Sequence, residues 1–164
     1  MTTDLLATVL ATQLILSSYR APPDPCGLVS PTEIASALGT KPSPGTANGP
    51  SWDEESGAHV SVCSIGVGEL FLSIAVAEFS TPAAASAAMK ETEKVSQEVE
   101  EAIRISPQAG LGDSSLWGAN ADGAIWVAQK GKYMLNVTLT GHAGDGGRYR
   151  DPLKKLASSA LTKM

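Results

Sequence analysis

The amino-acid sequence predicts an α+β domain, an antiparallel sheet built from two hairpins with about three helices packed on it. Two observations carry this. Two pairs of alternating apolar segments are each joined by a short glycine-containing turn. Three apolar-periodic stretches each begin with a capping residue followed by proline at the first helical position. A third feature, the spacing of two cysteines, concerns what ties these elements together.

The N-terminal stretch Leu5–Leu16 is apolar and short, and leads through Ser17-Ser18-Tyr19-Arg20-Ala21 into Pro22-Pro23. Such a length suits the core of a signal peptide and is too short for a spanning helix. Asp4 stands where a lysine or arginine is expected before such a core. Residues 1–21 are therefore read as a signal-like remnant or an N-terminal helix, and 22–164 as a single α+β domain.

The first helix begins at Ser30-Pro31, with Glu33 placed to close a capping box and Gly39 to end it. The segment Thr40–Pro50, rich in proline and glycine, reads as a loop closed by the acidic Trp52-Asp53-Glu54-Glu55. Residues His59–Ile65 and Glu69–Phe79 form the first hairpin around Gly66-Val67-Gly68. In its second strand Leu70, Leu72, Ile74 and Val76 alternate with smaller residues, giving one core face.

The long helix starts at Thr81-Pro82 and runs through AAASAAMKETEKVSQEVEEA, with Ala85, Met89, Thr92, Val99 and Ile103 at helical spacing. A short strand is expected around Ser115–Trp117. The second hairpin, Gly123–Gln129 and Lys132–Thr140, turns at Lys130-Gly131. On its return strand Tyr133, Leu135, Val137 and Leu139 point one way, and Asn136, Thr138 and Thr140 point to a solvated face. The last helix is expected from the Asp151-Pro152 cap, with Leu153, Leu156, Ala160, Leu161 and Met164 as its apolar stripe. The order suggests a helix–hairpin–helix unit used twice.

Composition narrows the function. Apolar residues make up 43% of the chain and charged residues 18%, with a net charge of −5. Without concentrated positive charge there is no nucleic-acid footprint. Cys26 and Cys63, with 36 residues between them, match neither a zinc knuckle nor a CxxC redox pair. They read as a structural disulfide, which implies an oxidising compartment, with two buried thiols as the alternative. No metal or cofactor site is expected.

Candidate chemistry is sparse. His142, in the glycine-rich 141–147 loop, superficially suggests an anion-binding turn, but Arg148 and Arg150 fall in the connection and no Gly-Lys-Ser/Thr follows. His59 begins a strand near Glu54 and Glu55, an arrangement open to proton transfer if both faced one cleft. Asp53, Glu54 and Glu55 lack the alternating oxygen ligands of a calcium loop. Asn136-Val-Thr138 matches a glycosylation sequon within a strand. Trp52, Trp117 and Trp126 carry much of the bulky apolar surface, as core residues or as the lining of a ligand groove or interface.

Two motifs resemble a known family. Asp24-Pro25-Cys26-Gly27-Leu28-Val29-Ser30-Pro31-Thr32-Glu33-Ile34 is similar to the D-P-C-x-L-hydrophobic-[ST]-x-x-E opening of an actinobacterial family of secreted proteins and lipoproteins of unknown function. Leu111-Gly112-Asp113-Ser114-Ser115-Leu116-Trp117 resembles its turn before the last hairpin, and Cys63 falls where its second cysteine occurs. The resemblance implies an envelope-facing, non-catalytic domain and carries no active site. The lipid-attachment cysteine is absent, so it does not imply a membrane anchor.

These readings converge on a non-enzymatic exported domain, extracellular or in the cell envelope. It would bind a protein partner, an envelope component or a small ligand through its sheet face or a cleft beside the long helix. Peripheral association with the membrane is the further partner class. The rival readings are a small hydrolase or transferase using His59 or His142 with a carboxylate, and a secreted inhibitor-like protein presenting a tryptophan patch.

Overall fold

The computed structural model describes residues 22–99, 103–141 and 144–164. Its centre is one seven-stranded antiparallel sheet with strand order β1-β2-β3-β7-β6-β5-β4. The strands are β1 (Thr46–Asp53), β2 (Ala58–Val67), β3 (Leu70–Glu78), β4 (Ser106–Gln108), β5 (Ser114–Ala119), β6 (Gly123–Lys130) and β7 (Tyr133–Thr140). Four α-helices accompany it: α1 (Pro25–Leu28), α2 (Pro31–Leu38), α3 (Pro82–Glu98) and α4 (Arg150–Lys163). The class is α+β, as the sequence predicts, but the sheet is wider than two hairpins and a short fourth helix precedes the first one expected.

The two hairpins meet in the middle, where β3 runs antiparallel to β7 with Ile74 opposite Val137. The first turn is shorter than the expected Gly66-Val67-Gly68, at Gly68-Glu69, and the second sits one residue later than expected, at Gly131-Lys132. Gly68 and Gly131 both take positive φ, which is why glycine stands there.

Two elements correct the sequence reading. The segment expected as loop from Thr40 to Pro50 supplies most of β1, an edge strand paired with β2 from Thr46–Ser64 to Asp53–Ala58. Its register shifts at Gly49-Pro50, and nearly all its side chains are exposed. Backbone pairing alone builds it, so no apolar alternation marks it, and the bulge blunts the edge against pairing with other chains. Likewise, α4 is not capped by Asp151. It grows out of a 3-10 turn, Gly146–Tyr149, whose cap is Asp145, which accepts from the Gly147 amide at 2.9 Å.

The strand order repeats, since each half is a meander followed by a helix, but the helices do not. Helices α1, α2 and α4 share one face, where Leu28, Ile34, Leu153 and Leu156 pack on Cys63, Leu72, Ile74, Trp126 and Val137. Helix α3 lies on the other face, where Met89 packs with Ile105, Leu116 and Val127. Leu72, Ile74 and Val76 of β3 and Leu135, Val137 and Leu139 of β7 all belong to the α4 side, so that face forms the main core.

The disulfide Cys26–Cys63 is formed, with 5.1 Å between the Cα atoms. It links α1 to the second strand within the main core. Gly45 passes directly over it. A Cβ there would stand 2.7 Å from the Cys63 Sγ, so only glycine lets the backbone approach so closely.

Candidate functional site

The second face of the sheet holds the most developed concavity. Helix α3 begins at the Thr81 cap, whose side chain accepts from the Ala84 amide at 3.1 Å. A run of alanines follows, with Ala84, Ala85 and Ala88 turned toward the sheet. Opposite them the sheet presents Ala58 and Ala77, again small. Ala58, Ala77 and Ala85 pack together with Phe79 in a small buried cluster, which seats the helix on the sheet. Beside that contact lies a cleft of about 1010 Å³, lined on the helix side by Ala84, Ala87 and Ala88.

Its floor and far wall are apolar, formed by Phe79, Ile103, Ile105, Ile125 and Met134. Ile105 and Phe79 are buried, while Val95 on the helix rim is exposed. The mouth is bounded by the β1–β2 turn, with Asp53, Glu55, Ser56 and Gly57, and by Glu91 on α3.

Polar groups in the wall are mostly committed to structure. Thr92 Oγ1 donates to the Ala88 carbonyl at 2.8 Å, and Ser96 Oγ donates to the Glu93 carbonyl at 2.6 Å. Ser96 Oγ also accepts from the Ile105 amide at 3.2 Å, and the Gln97 side-chain amide donates to the Ile105 carbonyl at 2.8 Å. These bonds pin the chain entering β4 to the last turn of α3, and so fix the end of the cleft. At the mouth the Asp53 carboxylate accepts from the Ser56 hydroxyl and amide, which together hold it below its ordinary value.

None of the three tryptophans lines this cleft. Trp126 is fully buried on the α4 face, with its indole nitrogen donating to the Arg150 carbonyl at 2.9 Å. Trp117 is half-buried against it, their ring centroids 5.2 Å apart. Trp52 is exposed on the edge strand, edge-on to His59 at 5.0 Å.

His59 stands opposite Glu78 in the β2–β3 register. Glu78 is buried and paired with Lys132, and neither His59 nor Glu78 lines the cleft. His142 lies outside the described residues. In the same loop the Asp145 carboxylate itself occupies the start of the 3-10 turn, and Gly146 donates its amide to the Asn120 carbonyl at 3.0 Å. Asn136 of the sequon sits on central strand β7, half-buried.

The second motif, at Leu111–Trp117, has a clear structural role. The Asp113 amide donates to the Gln129 carbonyl at 2.7 Å, and Asp113 Oδ2 accepts from the Gly131 amide at 2.6 Å. Gln129 in turn donates to the carbonyls of Pro82 and Gly131, each at 3.0 Å. The turn thus clamps the β6–β7 hairpin to the start of α3.

The cleft residues Ala84, Ala88, Ile105, Ile125 and Met134 were not singled out as a site by sequence. The signal was there in the alanine run of α3, of which Ala84, Ala87 and Ala88 line the cleft.

With that geometry in place, comparison with known proteins is informative about the fold. No family model matches the chain, and no curated protein matches it at a significant level. A solved structure does. The chain is similar to the extracellular domain of PknH from Mycobacterium tuberculosis, with a TM-score of 0.52 and 10% identity over 83% of this chain and 94% of that one. At that identity the likeness is one of fold. An extracellular domain of the same fold, together with the disulfide, is compatible with an exported protein. Among the described residues, no helix is long and apolar enough to cross a membrane, and no group of three or more His, Cys, Asp or Glu is placed to hold a metal ion.

Proposed function

We propose that this chain is a non-catalytic exported domain that binds a small apolar ligand in the cleft between α3 and the sheet. The observation that carries the reading is the apolar lining of this cleft, with Ala84, Ala87 and Ala88 of α3 on one side and Phe79, Ile103, Ile105, Ile125 and Met134 on the other. The other face is filled by leucine, isoleucine and a buried tryptophan. At about 1010 Å³ the cleft lies at the upper end of the range for small-molecule sites, which are mostly apolar with a few polar groups at the rim.

Binding rather than catalysis is favoured by the state of the polar wall. The hydroxyls of Ser56, Thr92 and Ser96 are each donated to a neighbouring group, and among the described residues no histidine, cysteine or lysine lines the space to activate them. Export is supported by the disulfide and by the fold shared with an extracellular domain.

The test is a titration of the isotopically labelled chain with dodecyl maltoside, kept below its micelle concentration and followed by backbone amide shifts. Shifts are expected at Ala88, Ile105, Ile125 and Met134, and not on the α4 face at Leu153 or Leu161. Shifts centred on Trp52 or Trp117 instead would refute the assignment of the site.

A further inference from the structure

The charges at the mouth of the cleft say which amphiphile it would accept, and this step rests on the binding reading above. Three carboxylates border the opening, Asp53 and Glu55 from the β1–β2 turn and Glu91 from α3. They come from two separate elements that flank one apolar space. None of the described residues lining the cleft is a lysine, arginine or histidine.

Asp53 is committed to the ionised form by its bonds from Ser56. Glu91 is partly balanced by Lys94, but that contact is 3.8 Å long between two well-exposed side chains, and Lys94 also reaches Glu98 at 4.0 Å. Exposed pairs of this kind are weak and exchange readily with other cations. The net charge of −5 adds a field of the same sign.

We infer that the cleft selects an amphiphile with an apolar body and a cationic head, and disfavours carboxylates and other anionic lipids. The apolar body would lie against Ile105, Ile125 and Met134, and the head would sit among Asp53, Glu55 and Glu91 at the rim. A carboxylate head placed there would meet three like charges, offset only by Lys94 in its weak contact with Glu91. A cationic head would meet three carboxylates and lose little hydration, because the rim stays open to water.

The experiment compares three ligands of equal chain length on the full chain by calorimetry, at neutral pH and low ionic strength. They are dodecyltrimethylammonium, dodecyl maltoside and dodecanoate, each below its micelle concentration. The cation should bind about tenfold more tightly than the carboxylate, the sum of three exposed pairs of ordinary strength, with the maltoside between them. Added salt should compress the spread. The triple variant Asp53→Asn, Glu55→Gln, Glu91→Gln should bind the cation and the carboxylate alike. Equal or tighter binding of dodecanoate by the wild type, or a preference that survives in the triple variant, overturns the charge rule alone. If none of the three binds, the cleft reading falls and the charge rule with it.

Discussion

Ser159 on α4 donates its hydroxyl to Glu33, the residue that closes the capping box at the start of α2. One carboxylate thereby joins the first long helix of the domain to the last. Glu33 Oε2 also accepts from the Ser30 amide at 2.7 Å and from Lys163 at 3.2 Å. These bonds, the one from Ser159 foremost, lower the Glu33 carboxyl from 4.5 to about 2. Because the folded value lies below the unfolded one, the stabilisation is fully present above about pH 4.5 and is lost as the pH falls toward 2. Glu33→Gln should therefore lower stability by about 1 kcal/mol at neutral pH, a figure reduced for the partial exposure of the site. The deficit should vanish near pH 2. Urea melts of both proteins across that range check it, and a deficit independent of pH would contradict the assignment.

Gly112 has a φ of 57°, and a Cβ there would lie 2.1 Å from the Gln129 carbonyl oxygen. Both the left-handed backbone and the contact forbid a side chain. Gly112→Ala should cost about 2–3 kcal/mol and loosen the clamp between the β6–β7 hairpin and α3. Thermal denaturation measures the loss. Faster amide exchange at Gly131 would show that the clamp itself has opened, because that amide is held by Asp113.

Removing the disulfide by the double change Cys26→Ala, Cys63→Ala should cost about 4 kcal/mol, the entropy of a loop closed over a separation of 37 residues. The sulfurs lie within the main core, so a further loss from packing is expected. Denaturant titration with and without reductant gives both values. Thiol quantification on the native, unreduced protein should find no free thiol.

Filling the cleft should separate binding from stability. Ala88→Phe places a large apolar side chain in the cleft that Ala88 lines. Stability should stay within about 1 kcal/mol of the wild type or rise, as cavity-filling changes do. Binding of dodecyl maltoside should be lost. A marked fall in melting temperature would mean that the space is not available to a side chain of that size.

Local signals explain what was legible in the sequence. The Ser30 and Thr81 caps and the prolines after them act within one helical turn, so α2 and α3 were readable, and so was the core face of β3 and β7, where Leu, Ile and Val alternate with smaller residues. Strand β1 carries no such signal, because its residues face water and only its backbone pairs. The Asp151-Pro152 signature misplaced the start of α4, since the 3-10 turn before it continues straight into the helix. The tryptophans drew attention by size, yet Trp126 is buried in the core and the cleft lies on the opposite face. What defines the cleft is the placing of Ala84, Ala87 and Ala88 of α3 across from Ile105, Ile125 and Met134, which come from later segments of the chain. The sequence shows each set of residues but not that they face one another.

The most direct test of the account is a crystal structure of the full chain grown with dodecyl maltoside. The account predicts an ordered alkyl chain between α3 and strands β6 and β7, in contact with Ala88, Ile105, Ile125 and Met134. A cleft collapsed by closure of α3 onto the sheet, or an alkyl chain ordered only against Trp52 on the edge strand, would contradict it.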